Sequence, residues 1–218
     1  MMRHDLSPST SEPEPDDPAQ PDLSALLAAR ICHDLISPLG AIGNGVELLE
    51  MAPGDTGAEL ALVRDSVTQA QARIRLFRIA FGRLRADQMI GAKELRGLLR
   101  DHAAHSRFDL DWTPTDALPK PKVKLALLCL LCIETALPYG GRVQCRLDDT
   151  MLHMVAQSDK LKLEEDLWRI LSDDADWPQD IGPSRVQFPI LRHAAKMEQA
   201  NLSVQLDRTE LDLRIIAA

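Results

Sequence analysis

The sequence predicts an α + α/β protein: a long helical hairpin, which pairs with a second copy into a four-helix bundle, followed by a two-layer α/β sandwich. Apolar residues recur with helical spacing through residues 23–88, and a turn rich in proline and glycine divides this stretch in two. From residue 89 onward, segments typical of strands are interleaved with helical patterns. We therefore divide the chain into a tail at residues 1–22, a hairpin at 23–88 and an α/β domain at 89–218.

The tail is acidic and rich in proline, with five prolines at residues 8–22, and this composition predicts disorder. It contributes −5 to the net charge of −8, whereas the hairpin is neutral. An acidic chain lacks the basic surface typical of nucleic-acid binders. The start does not resemble a signal peptide, and the longest apolar run, residues 125–133, is far shorter than the roughly 20 residues that span a bilayer. We expect a cytoplasmic protein that binds neither nucleic acid nor a membrane.

Two helices of the hairpin follow from start signals and apolar spacing. Asp22 is a good N-cap for a helix that runs from Leu23 to about Met51, and a second helix is expected from about Ala58 to Gln88. The expected buried stripe of the first helix consists of Ile31, Leu35, Leu39, Ile42, Val46 and Leu49, and that of the second of Val63, Val67, Ala70, Ile74, Phe77, Phe81 and Leu84. Because a lone hairpin cannot bury both stripes, we expect a homodimer.

The α/β domain is predicted from helical and alternating patterns taken in chain order. Helices are expected at residues 92–104, 123–137, 163–172 and 184–200. Strands are expected at residues 108–112, 142–147, 151–157, 201–206 and 211–216, the last four as two hairpins. Cys129 and Cys132 form a C-x-x-C pair, but they lie inside the apolar run and no second metal-type pair follows. We interpret them as core residues.

The face of the first helix opposite its apolar stripe carries an exposed histidine. At 100° per residue, His33 lies roughly 160° from Leu35. Ser37, Gly40 and Asn44 share its face. These small or polar neighbours would let a bulky partner approach the imidazole closely.

The residues around this histidine resemble a known motif. The string His33-Asp-Leu-Ile-Ser-Pro38-Leu is similar to the H box of sensor histidine kinases, H-[DE]-L-x-[ST]-P-L, on the first helix of their dimerisation hairpin. The nucleotide motifs of such kinases are missing. The helix expected to carry asparagine has none and holds Glu134, and no glycine follows Asp159 before Gly182. Glycine lets the backbone close around phosphates, and asparagine is the magnesium ligand of such kinases. Because both are missing, we expect no ATP binding.

An H-box hairpin followed by a degenerate kinase ATPase-like domain resembles the ChpT-type histidine phosphotransferases of alphaproteobacteria. The most specific similarity lies at residues 26–47, with weaker support at residues 137–141 and 186–188. The resemblance implies a dimer that takes phosphate from the receiver of a hybrid histidine kinase (CckA-like) and passes it to response regulators (CtrA-like, CpdR-like). The partner receiver would bring Mg²⁺, so the chain would need no metal or other cofactor of its own.

The resemblance assigns roles to individual residues. His33 would be the phosphorylated nucleophile, and Asp34 would orient its ring or accept its other proton, unless Asp34 is only an exposed surface charge. Expected partner-binding residues are Arg30, Ser37, Gly40, Asn44, Arg73 and Arg78. The arginines of the second helix either face an acidic receiver or form a solvated face: Arg64, Arg73, Arg75, Arg78, Arg83 and Arg85. His102 and His105, without a third ligand, are expected on the surface.

Two other functions remain open from the sequence. One is an ATP-dependent histidine kinase with an atypical catalytic domain, which the missing glycines and asparagine oppose. The other is a non-catalytic dimeric scaffold that binds receivers. The identity of the receivers and the direction of transfer are not encoded in any motif of the chain.

Overall fold

The computed structural model describes residues 22–51, 54, 56–83, 85, 87–113, 116–148, 150–171 and 181–217. The predicted tail, apart from Asp22, lies outside the described residues. Six α-helices are present in the described part of the chain: α1 Leu23–Met51, α2 Gly57–Ala80, α3 Ala92–Ala103, α4 Lys120–Ala136, α5 Glu165–Arg169 and α6 Gln187–Met197. The strands described are β1 Met89–Ile90, β2 Phe108–Trp112, β3 Leu118–Pro119, β4 Gly141–Leu147, β5 Met151–Gln157, β6 Ala200–Leu206 and β7 Glu210–Ala217.

The first helix begins where its cap predicts. Asp22 Oδ1 accepts hydrogen bonds from the backbone N–H groups of Ser24 at 2.9 Å and Ala25 at 3.1 Å, which satisfies two of the free donors at the helix start. The helix continues through Pro38, whose ring is buried. By length and apolar composition alone, α1 is the one described helix that could cross a membrane. In this fold it packs against α2 as the first arm of the hairpin.

The second helix ends earlier than its apolar spacing predicts, at Ala80 rather than near Gln88. A Cβ at Gly82 would lie 2.1 Å from the Arg78 carbonyl oxygen, so the tight turn there requires glycine. The Gly82 carbonyl accepts a hydrogen bond from Lys124 of α4 at 2.9 Å. The chain then forms β1, which pairs with β3 in a small antiparallel sheet that the sequence patterns did not reveal.

The main sheet has five strands in the order β2-β4-β5-β7-β6. The β2 strand runs parallel to β4 and the other neighbours are antiparallel, so both predicted hairpins, β4–β5 and β6–β7, are confirmed. Two helix predictions were too long. The expected helix at 163–172 is α5 alone within the described residues, and the one at 184–200 begins as a 3-10 turn, Pro183–Arg185, before α6.

The core lies where helices pack on one face of this sheet. Eleven of the 17 residues of α4 are buried, because the helix lies between neighbouring helices and the sheet. Cys129 and Cys132 are fully buried in this helix, which confirms their interpretation as core residues. The last turns of α2 contribute Leu76, Phe77 and Ala80 to the same apolar cluster. The hairpin and the α/β domain therefore share one apolar core.

The predicted stripe of the hairpin is only partly covered within a single chain. Leu39 and Val46 of α1 are 57% and 42% exposed, and Ile74 of α2 is 50% exposed. Their burial by a second copy stays a prediction. Leu84, also assigned to the stripe, lies outside the described residues.

Candidate active site

The site is centred on His33, on the face of α1 away from its apolar stripe. The side chain is 78% exposed, and Nδ1 lies 3.2 Å from Oδ1 of Asp34. A carboxylate can only accept a hydrogen bond, so the proton between them belongs to Nδ1 of the imidazole. This pairing favours one tautomer, in which Nε2 carries the lone pair on a largely exposed ring.

Of the two interpretations of Asp34 that the sequence left open, an exposed surface charge is wrong. Its side chain is 7% exposed. Oδ2 forms ion pairs with Nε of Arg30 at 2.9 Å, one turn earlier on α1, and with Nη2 of Arg73 of α2 at 3.2 Å. Two guanidinium groups therefore compensate this buried carboxylate, and Oδ1 remains for His33.

Arg30, which the sequence assigned to partner binding, is buried instead. Its Nη1 donates to the backbone carbonyl of Ser184 at 2.7 Å, which ties α1 to the turn before α6. Burial lowers the pKa of Arg30 below its ordinary value, and Asp34 opposes this effect. A helical period cannot show that the turn before α6 packs against the face of α1 that carries Arg30.

Arg73 joins the hairpin to the α/β domain. Its Nη1 lies 3.3 Å from Oε2 of Glu134 on α4, its Nη2 contacts Asp34, and its guanidinium carbon lies 5.4 Å from the ring centre of Phe77. Its side chain keeps 20% exposure at the rim of the site. From the sequence, Arg73 was expected to bind a partner, and Glu134 was noted only where a kinase would carry asparagine. No pattern in the sequence indicates that the two residues pair.

His102 completes this group and corrects a prediction. It was expected on the surface, but it is 4% exposed on α3, with Nε2 3.9 Å from Oε2 of Glu134. Among the described residues, Nε2 has no hydrogen-bond partner. Burial lowers the pKa of His102, whereas Glu134 raises it by a smaller amount. His105 is exposed, as expected.

These groups line a cleft of about 240 Å³ between the hairpin and the α/β domain. Its lining includes His33, Asp34 and Ser37 of α1, Arg73 of α2 and Glu134 of α4. The other predicted contact residues, Gly40, Asn44 and Arg78, are exposed outside the cleft. Outside its own helical turn, no atom of the described residues lies within 4 Å of a Cβ placed on Gly40, so a partner can come close to the backbone there. Among the described residues, no group of three metal-type side chains is close enough to hold an ion.

The helix α4, which would face a nucleotide in a kinase, contacts α6 and Arg73 instead. Gln187 of α6 donates to the carbonyl of Leu131 at 3.4 Å, so α4 and α6 pack directly together. Glu134, near the end of α4, forms an ion pair with Arg73. Asp159 is exposed after β5, and Lys160 next to it lies over the ring of Tyr139, 4.7 Å from its centre.

Known proteins are similar to this chain in both sequence and architecture. Residues 92–210 match the family described as the histidine phosphotransferase C-terminal domain. Protein phosphotransferase ChpT of Brucella abortus (strain 2308) is 42% identical over 129 residues, which are 58% of this chain and 61% of that protein. The match thus spans about three fifths of that relative.

A solved structure of a bacterial phosphotransferase is 31% identical, covers 88% of this chain and 95% of its own, and superposes with a TM-score of 0.74. A histidine kinase domain from Erythrobacter litoralis is 15% identical, covers 89% of this chain and 91% of its own, and has a TM-score of 0.44, a similarity that says nothing about function. The family match extends over more than half of the chain. This chain belongs to the family of the histidine phosphotransferase C-terminal domain.

Proposed function

We propose that the protein is a phosphorelay histidine phosphotransferase that accepts phosphate on His33 from the receiver of a hybrid histidine kinase and passes it to the aspartate of response regulators. The observation that carries the proposal is the pairing of an exposed His33 with the buried carboxylate of Asp34. Membership of the phosphotransferase family supports it. The partners fitting this role are CckA-like, CtrA-like and CpdR-like proteins of the cytoplasm.

The transfer step needs little from this chain beyond an oriented nucleophile. The Nε2 lone pair of His33 attacks the phosphorus of the receiver's aspartyl phosphate, the N–P bond forms, and the P–O bond breaks with its electrons going to the aspartate. The imidazole then carries positive charge, which Asp34 stabilises at Nδ1–H or relieves by taking that proton. Reversal of the same steps delivers the phosphoryl group to the next receiver.

The receiver is proposed to dock over the exposed face of α1 and bring its own Mg²⁺. Ser37, Gly40 and Asn44 offer a low, polar surface around His33, and Arg78 offers a positive charge at the end of α2. Arg73 adds charge at the rim, although its guanidinium is shared with two carboxylates.

We further propose that the chain acts as a homodimer and without ATP. Exposed apolar side chains on the hairpin favour the dimer. The missing asparagine and glycines, together with the direct packing of α4 on α6, disfavour the alternative of an ATP-dependent kinase.

The test is transfer of labelled phosphate from a phosphorylated receiver to the wild-type chain and to His33→Ala. We expect acid-labile, alkali-stable label on the wild type and none on the variant. The matched control is His193→Ala, which removes an exposed histidine of α6 and should keep full transfer. Full labelling of His33→Ala would refute the proposal by placing the phosphoryl group on another residue. No label on either protein would favour the scaffold, whereas label taken from ATP alone would favour the kinase.

A further inference from the structure

The side chain that touches His33 is itself held by a chain of charges that crosses from the hairpin into the α/β domain. Oδ1 of Asp34 faces Nδ1 of His33. Oδ2 of Asp34 forms ion pairs with Arg30 and Arg73. Arg73 spans two carboxylates, with Nη2 on Asp34 and Nη1 on Glu134 at 3.3 Å. The cluster therefore holds two guanidinium groups and two carboxylates, and its formal charges balance.

This arrangement depends on Glu134 keeping one end of Arg73 away from Asp34. A guanidinium and a carboxylate prefer to meet through two parallel hydrogen bonds. If the bond to Glu134 is lost, Nη1 of Arg73 becomes free to take Oδ1 of Asp34, the oxygen that accepts from His33. The ring of His33 would then lose its fixed tautomer, and the cluster would gain a unit of positive charge.

We propose that Glu134 is a positioning residue for phosphotransfer: from the α/β domain it restrains Arg73, so that Asp34 keeps an oxygen for the Nδ1–H of His33. The inference rests on the proposed function of His33. It gives a role to a residue that stands where a kinase would carry a nucleotide-site group, and it gives the α/β domain a part in the chemistry.

The first test is Glu134→Gln, which keeps the shape of the side chain and removes its charge. At saturating phosphorylated receiver we expect the transfer rate to fall about fivefold to tenfold, with the KM for the receiver unchanged. The acid limb of the pH–rate profile should move to lower pH, because the extra positive charge opposes protonation of the imidazole. The charged or titratable groups that face this cluster are Arg30 and Asp34 from α1, Arg73 from α2, Asp101 and His102 from α3, His105 after α3, and Glu134.

Two further variants make the test specific. Glu165→Gln removes an exposed carboxylate that pairs with Arg169 at 3.8 Å in the same domain, and it should leave rate and profile unchanged. Adding Arg73→Gln to Glu134→Gln removes the competitor for Asp34. At saturating receiver the double variant should therefore recover part of the lost rate, with the lost rim charge of Arg73 appearing as a higher KM. A double variant as slow as Glu134→Gln would overturn the proposal, as would a folded Glu134→Gln with wild-type rate and profile. A rise in KM alone would show a docking role and also overturn it.

A measurement without any transfer separates this inference from the proposed function. The ¹⁵N shifts of the His33 ring should report the Nδ1–H tautomer in the wild type and a mixture in Glu134→Gln. Glu134→Asp, which keeps the charge on a shorter side chain, provides a second variant should the amide fail to fold, and it should lie between the two. Identical ring shifts in all three proteins would overturn the positioning role, even if His33 accepts phosphate.

Discussion

At the scale of single residues, Asp34 is the group on which the site depends for both stability and orientation. Two guanidinium groups contact its Oδ2 within 3.2 Å, and its side chain is 7% exposed. Asp34→Asn leaves the buried guanidinium of Arg30 without its carboxylate, and it leaves Arg73 paired with Glu134 alone. We expect the free energy of unfolding in urea to fall by about 3 kcal/mol.

The control for this variant is Asp65→Asn, which removes an exposed carboxylate on α2 and should change the free energy of unfolding by less than about 0.5 kcal/mol. Equal stability of Asp34→Asn and Asp65→Asn would mean that the ion pairs at Asp34 contribute nothing to the fold.

The four cysteines differ sharply in their access to solvent. Cys32 is exposed next to the site, whereas Cys129, Cys132 and Cys145 are buried, and burial raises the pKa of each of these three thiols. A thiol reagent such as DTNB should therefore modify one thiol per native chain quickly and all four in denaturant. Rapid modification of a second thiol in the native protein would contradict the burial of α4 and β4.

At the scale of elements, Gly45 leaves room for α1 and α2 to pack closely against each other. A Cβ on Gly45 would lie 2.6 Å from Cγ2 of Val63, and valine has little rotamer freedom with which to withdraw in a helix. In the part of the chain that the structure describes, nothing beyond the helix's own turn lies within 4 Å of the corresponding position on Gly43. Gly45→Ala should lower the thermal stability of the protein, while Gly43→Ala should raise its free energy of unfolding by about 0.5–1 kcal/mol. Stabilisation by both substitutions would show that the helices do not meet at Gly45.

Elements whose ends are set locally could be predicted, and those set by distant contacts could not. Asp22 and the apolar period define the start and length of α1 without help from the rest of the fold. The end of α2 depends on the approach of Gly82 to Arg78 and on a bond from Lys124, so a pattern that continued past Ala80 was misleading. The strands β1 and β3 have two residues each, which is too short for an alternation of apolar and polar residues to be recognised.

The same distinction explains the site. The exposure of His33 and its small neighbours follows from the geometry of one helix. The burial of Arg30 depends on Ser184, 154 residues away, and the role of Glu134 on Arg73, 61 residues away. A single sequence contains no signal for these pairings, which is why Arg30 was assigned to the docking surface and His102 to the solvent.

At the scale of the whole molecule, the hairpin and the α/β domain behave as one folded unit. Residues of α2 lie in the same apolar cluster as the sheet and α4, and polar contacts from Arg30, Arg73 and Lys124 join the two parts. The apolar surface that remains uncovered on the hairpin includes Leu39 and Val46 of α1. A second copy, meeting the first through the same face, would cover it.

This leads to a prediction about oligomeric state. The wild type should have about twice the chain mass of 24.2 kDa by light scattering at micromolar concentration. Leu39→Asp should have the mass of a single chain, because a carboxylate at the centre of a symmetric interface would be desolvated near its own copy. Met197→Asp replaces an apolar residue of α6 that is 70% exposed, and it should remain a dimer.

The monomeric variant also tests whether dimerisation and phosphate acceptance are separable. The groups that contact His33 and Asp34 in the described structure, including Arg30 and Arg73, come from the same chain as His33. Leu39→Asp should therefore still accept labelled phosphate on His33, with any loss appearing in the KM for the receiver, since a receiver that touches both copies would lose contacts. A dimeric mass for Leu39→Asp would locate the interface elsewhere. Loss of transfer at saturating receiver in a folded monomer would mean that the second copy supplies part of the site.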